Sequence, residues 1–261
     1  MNSTGPAQRS EYRFPALPLV PFAFHLLFAR RRSFAHDGEL VLAKNPFSRC
    51  IEGLENVPET GSFILTANHF NREGLHPYHC ALMISALVAR RRPGLPELSW
   101  AFTSEWYGRR IGPLPVPVGL TRWVFRRIGA VYDLTVLPRR PEMVVQRAVA
   151  LRQFAATLSK RSVAIMPEGV GRGKLVEPAT GSGLFLSTLS TRGYPVLPVA
   201  LFEEEGALVI RFGEPYRLST EEGLSREEGD AVARERMMVA IGRLLPRRCW
   251  GAYADAIESQ K

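Results

Sequence analysis

Short apolar runs alternating with longer helical stretches set the fold class of this 261-residue chain. Residues 62–67, 98–103, 162–166, 196–202 and 207–212 are too short for core helices and too uniformly apolar for half-exposed strands, so they predict buried strands. The intervening patterns predict helices over 75–92, 142–160, 181–192 and 225–245. In the second of these, Val145, Val149 and Phe154 stand among the apolar positions. Strands alternating with helices imply an α/β fold, with a mostly parallel or mixed central sheet flanked by helices. In such sheets, sites gather where strands end.

Two of the predicted strands end in residues with chemical potential. The first runs into Thr66-Ala67-Asn68-His69 and the second into Ile165-Met166-Pro167-Glu168-Gly169-Val170-Gly171-Arg172. A histidine with an ordinary pKa near 6.5 is available to take a proton at neutral pH. A proline-glycine turn carrying a carboxylate, backbone N–H groups and an arginine is suited to an anionic headgroup. His69 therefore reads as a candidate base, and the turn as a candidate anion site. The alternative for His69 is a cap on the following helix.

These blocks, together with Leu197-Pro198-Val199-Ala200, resemble in order and spacing the glycerolipid acyltransferase family, whose best-known members acylate lysophosphatidic acid. The resemblance runs from about Phe47 to Tyr216. It implies acyl transfer from a thioester, either acyl-CoA or acyl carrier protein, to the hydroxyl of a lysophospholipid or related lipid alcohol. His69 would be the general base, with no cofactor and no metal. It further implies that Asn68, Glu168, Gly169 and Arg172 bind substrate, Arg172 pairing with phosphate and Glu168 ordering the loop or meeting a hydroxyl. Val170 and Gly171 replace the usual threonine and its neighbour, which removes one hydroxyl donor.

Two further departures matter. The family places an aspartate five positions after the histidine to fix its tautomer, but that position is Gly74. Glu73, one place earlier and one methylene longer, is the candidate replacement as catalytic partner. The family's middle block, a glycine-led strand ending near an arginine, is only weakly present as Gly129-Ala130-Val131-Tyr132-Asp133. Its arginines, Arg139 and Arg140, come later. A protein that keeps the fold and binds lipid or serves as a scaffold, without turnover, is the competing reading.

Other chemistry finds less support. His69, Glu73, His76 and His79 lie close together, but Glu73-x-x-His76 has no second copy, as a di-iron bundle would require. Gly173-Lys174 lacks the P-loop context, and neither a dinucleotide fingerprint nor a Gly-x-Ser-x-Gly elbow is present. Three cysteines, Cys50, Cys80 and Cys249, are too few and too scattered for a disulfide framework. They read as packing residues in a reducing compartment.

The net charge of +9 is uneven: residues 1–202 hold 25 basic against 13 acidic residues, and residues 203–261 hold 9 against 12. The basic surplus therefore accompanies the candidate site and suits an anionic membrane surface. No recognised motif supports nucleic-acid binding. The apolar run at 17–29, followed by Arg30-Arg31-Arg32, is too short to span a bilayer and carries its charge after the apolar part, unlike a secretory signal. It reads as a segment lying in the headgroup region, or else as a helix packed on the core. The expected organisation is a membrane-surface segment over 1–46 and an acyltransferase-like domain over 47–261, peripheral to the cytoplasmic face of the membrane. Aromatic and apolar residues at Trp100, Phe102, Trp106, Tyr107 and 113–118 are candidates for part of an acyl channel, or for ordinary packing.

Overall fold

The computed structural model describes residues 12, 19–44, 49–108, 110–138, 143–171 and 173–260. The expected boundary between residues 46 and 47 lies outside these, as do Leu17, Arg139, Arg140 and Arg172.

The described residues form nine strands: β1 (Arg49–Glu52), β2 (Ile64–Ala67), β3 (Ser99–Thr103), β4 (Arg110–Ile111), β5 (Leu114–Pro115), β6 (Thr135–Leu137), β7 (Val163–Ile165), β8 (Val196–Glu204) and β9 (Ala207–Phe212). The helices are α1 (Leu19–Phe28), α2 (Phe34–Lys44), α3 (Pro77–Arg91), α4 (Val118–Tyr132), α5 (Val144–Thr157), α6 (Ser182–Thr191), α7 (Arg226–Gly242) and α8 (Ala254–Glu258). Seven strands form one sheet in the order β1-β9-β8-β2-β7-β3-β6, while β4 and β5 pair as a separate hairpin. Within the seven-stranded sheet all neighbours from β8 to β6 are parallel, the β8–β9 pair is antiparallel, and β1 runs with β9.

Side-chain alternation along the central strands sorts the core into two layers. Leu65 and Ala67 of β2, with Leu197, Val199 and Leu201 of β8, face α2 and α3. Ile64, Val196, Ala200 and Phe202 face the opposite layer, to which Phe154, Leu186 and Met237 contribute from α5, α6 and α7. Burial on both faces explains why β2 reads as a continuous apolar run with no alternation. Helix α2 is tied down by a buried carboxylate: Asp37 accepts from Arg32 Nε (3.0 Å) and from the Tyr132 hydroxyl (2.6 Å). Ser225 caps α7, receiving the Glu228 N–H at 3.3 Å while the Glu228 carboxylate accepts the Ser225 N–H.

Several expectations need correction. Residues 129–132 are not a strand but the last turn of α4, and Asp133 ends the helix in the left-handed conformation (φ 55°). The strand of that region is β6, three residues further on. On α5 the inward face is Ala150, Phe154 and, just beyond the helix, Leu158; Val145 and Val149 are exposed. Valine was a poor guide there, because the i, i+4, i+8 series from Ala150 satisfies the same helical period. Of the cysteines, all free, Cys80 is buried and Cys249 half-buried, but Cys50 is exposed on an edge strand. Among the described residues, no helix is long and apolar enough to cross a membrane.

Candidate active site

Strand register places the two sequence clusters together. β2 and β7 are adjacent and parallel, with Thr66 opposite Ile165. Three residues beyond each of these positions stand His69 and Glu168, both past the carboxyl ends of their strands. The Glu168 carboxylate bridges two loops: Oε2 accepts the His69 backbone N–H at 2.5 Å and Oε1 accepts the Val176 N–H at 3.0 Å. Glu168 is buried. Loss of hydration pushes its carboxyl group up to about 7, against the opposing effect of the two N–H bonds.

Asn68 is equally committed. Its amide continues the β2–β8 ladder past the strand end, donating to the Leu201 carbonyl at 2.9 Å and accepting the Leu201 N–H at 2.7 Å. Buried on this partner, it sets the point where the chain leaves the sheet and so aims His69, which is half-buried. The glycines of the second cluster have separate duties. Gly169 has φ 64° with open space around it. Gly171 packs against the histidine: a Cβ there would lie 2.2 Å from the His69 carbonyl oxygen and 2.8 Å from His69 Nδ1. The absence of a side chain at 171, read in the sequence as a lost donor neighbour, is what lets this loop close on the imidazole.

A small cavity opens at this junction, bounded by Asn68, His69, Glu168, Lys174, Leu201 and Cys249. Lys174 and Cys249 escaped the sequence reading. Lys174 enters the sequence analysis only through nucleotide-loop motifs that fail, and Cys249, read there as a packing residue, arrives from beyond α7 with no motif to announce it.

Glu73 is placed differently. The Arg72–Leu75 turn is closed by reciprocal backbone bonds of 3.0 Å, from Arg72 N–H to the Leu75 carbonyl and from Leu75 N–H to the Arg72 carbonyl. This leaves Glu73 exposed at the tip, with no hydrogen bond or ion pair among the described residues. Gly74 follows with φ 77°, and a Cβ there would lie 2.6 Å from the Tyr12 carbonyl oxygen. The buried Tyr12 is held there by its hydroxyl, which donates to Glu203 Oε1 at 2.5 Å, and by Arg72, whose guanidinium lies over the ring and pairs with Glu203. In the same stretch, His79 Nδ1 accepts the His76 N–H at 3.1 Å at the start of α3, and burial holds its pKa down at about 4.

The resulting arrangement is an α/β sheet with a half-buried histidine and a braced carboxylate at neighbouring strand ends. Its fold is shared with the crystal structure of the 1-acyl-sn-glycerophosphate (LPA) acyltransferase PlsC from Thermotoga maritima, at a TM-score of 0.50 and 19% sequence identity, over 81% of this chain and 78% of that one. No family model and no curated protein sequence matches the chain.

Proposed function

We propose that this protein is an acyltransferase that moves a fatty acyl group from an acyl thioester, on coenzyme A or acyl carrier protein, to the hydroxyl of a lysophospholipid or related lipid alcohol. His69 takes the hydroxyl proton as the oxygen attacks the thioester carbonyl; the new ester forms, and the thiolate leaves and takes up a proton. The observation that carries this reading is the meeting of His69 with the Glu168 loop at the carboxyl ends of β2 and β7, in a fold shared with an acyltransferase. The basic surplus of the first 202 residues supports an anionic membrane surface and a phosphorylated acceptor. Arg172, Arg139 and Arg140 are the candidates to pair with that phosphate, and peripheral attachment at the cytoplasmic face completes the reading.

The test is incubation of the purified protein with acyl-CoA or acyl carrier protein and a panel of lysolipids, with products identified by mass spectrometry. His69→Ala is expected to lower turnover by about 10²- to 10⁴-fold without changing the unfolding midpoint. Near-native turnover in a folded His69→Ala protein refutes the mechanism. Glu73→Gln in the same assay decides whether Glu73 is the histidine's partner: a sharp fall in turnover with little change in acceptor affinity assigns it that role, and unchanged turnover removes it.

One observation favours a second reading, a lipid-binding or scaffold protein without turnover. The position of the family's aspartate is occupied by a glycine in left-handed conformation, packed against the Tyr12 backbone. Lipid binding with no acyl transfer to any lysolipid is the outcome that selects it.

A further inference from the structure

The exposed apolar surface continues beyond the N-terminal segment. Helix α1 lies against α4, and the residue four places beyond α1 is joined to the end of α4 by the Arg32 N–H to Val131 carbonyl bond of 2.9 Å. Both helices turn large apolar side chains to solvent: Phe24 (45% exposed), Leu27 (58%) and Phe28 (64%) from α1, and Leu120 (50%) and Trp123 (37%) from α4. On α4 the exposed stripe is regular. The exposed Leu120 and Trp123 stand at i and i+3 with the half-buried Arg127 at i+7, the spacing of one helix face.

Charge on this surface is mostly positive. Helix α4 contains Arg122, Arg126 and Arg127 and no acidic residue, and α1 contains no acidic residue and is followed by Arg30-Arg31-Arg32; Arg122 pairs with Glu105, Arg32 with Asp37 and Arg31 with Asp133, while Arg30, Arg126 and Arg127 have no ion pair among the described residues. Arginine and aromatic residues are also paired. The Arg30 guanidinium lies 5.3 Å from the centre of the Phe24 ring, and that of Arg127 5.5 Å from the Trp123 ring. An exposed aromatic residue under an arginine is suited to a headgroup boundary, where the ring enters the acyl region and the guanidinium stays with phosphate.

Topology relates this face to the site. Helix α4 connects β3 to β6, which are parallel neighbours. It therefore starts at the carboxyl edge of the sheet, the edge that carries His69 and Glu168, and returns to the amino edge. The turn bearing Leu120 is at the site end of the helix.

We infer that α1 and α4 together form a single docking face for an anionic phospholipid bilayer, with Leu120 and Trp123 entering the headgroup–acyl boundary beside the mouth of the site. The role of the face in delivering a lipid acceptor rests on the function proposed above; the docking itself does not. The positive charge left by Arg30, Arg126 and Arg127 favours a bilayer over a second copy of this chain, because two such faces would bring these arginines together.

The test uses the full chain and vesicles of equimolar phosphatidylcholine and phosphatidylglycerol, with phosphatidylcholine vesicles as the comparison. Leu120→Ser/Trp123→Ser is expected to weaken co-sedimentation with the anionic vesicles by about tenfold to a hundredfold, with the unfolding midpoint unchanged because both residues are exposed. Brominated phosphatidylcholine in the same vesicles should quench tryptophan emission, and Trp123→Phe should remove most of that quenching. Wild-type affinity in the double variant, or quenching untouched by Trp123→Phe, overturns the proposal. So does a concentration-dependent dimer, seen by sedimentation equilibrium, that the double variant abolishes. Docking by a wild type that transfers no acyl group leaves this inference standing and defeats the acyltransferase reading; transfer to a water-soluble short-chain acceptor without vesicle binding does the reverse.

Discussion

The buried Glu168 gives the structure a measurable pH signature. Its two oxygens hold the His69 and Val176 N–H groups, and burial outweighs those bonds, raising the carboxyl pKa from 4.5 to about 7. In the unfolded chain the same group titrates at its ordinary value. Across the interval between the two values the folded protein retains a proton that the unfolded chain has lost. Stability from this group is therefore fully present below about pH 4.5, declines as pH rises, and is gone above about pH 7. At 1.36 kcal/mol per pKa unit, the loss amounts to roughly 3 kcal/mol. Glu168→Gln removes the titration. Its single carbonyl oxygen satisfies one N–H and turns the NH₂ towards the other, at a cost of about 1–3 kcal/mol that does not vary with pH. The stability advantage of the wild type over Glu168→Gln should therefore be largest near pH 4.5 and shrink by roughly 3 kcal/mol on reaching about pH 8. Urea unfolding of both proteins at intervals across that range measures it, and contributions from other groups cancel in the difference. Parallel curves for the two proteins would refute the reasoning, since Glu168 would then titrate alike in the folded and unfolded chains.

Two glycine substitutions probe the same loops. Gly171→Ala sets a Cβ 2.2 Å from the His69 carbonyl oxygen and 2.8 Å from Nδ1; it should cost about 1–3 kcal/mol in chemical denaturation and lower turnover about a hundredfold by displacing the base. Gly74→Asp restores the family's carboxylate in sequence but sets it at φ 77° against the Tyr12 carbonyl. It should lose about 1–3 kcal/mol of stability and gain no turnover, and a more active variant of undiminished stability would show that the Tyr12 segment yields.

Much of the architecture was legible in the chain because burial leaves a local record. β2 and β8 are apolar on both faces since helices cover both, and the α/β alternation follows from that pattern. His69 and Glu168 were likewise legible as residues just past strand ends. What brings them together is the Thr66–Ile165 register of two strands about a hundred positions apart, and no local pattern carries register between distant strands. The same limit explains the remaining differences. The middle block matches the family's strand only through its leading glycine, and its buried Val131 and Tyr132 do not correct that match, since helix and strand bury such residues equally well. The valines of α5 read as core, although the neighbouring elements accept the Ala150–Phe154 face. Glu73 is a candidate through its distance from His69 along the chain, and its exposed place in the Arg72–Leu75 turn is set by backbone bonds that this distance does not carry. Sequence alone thus determined the α/β alternation, the central strands and which residues bear chemistry, but not α4 and β6. Tertiary structure decided which polar groups meet, because hydrogen bonds such as those of Glu168 and Asn68 join residues that only the folded sheet makes neighbours.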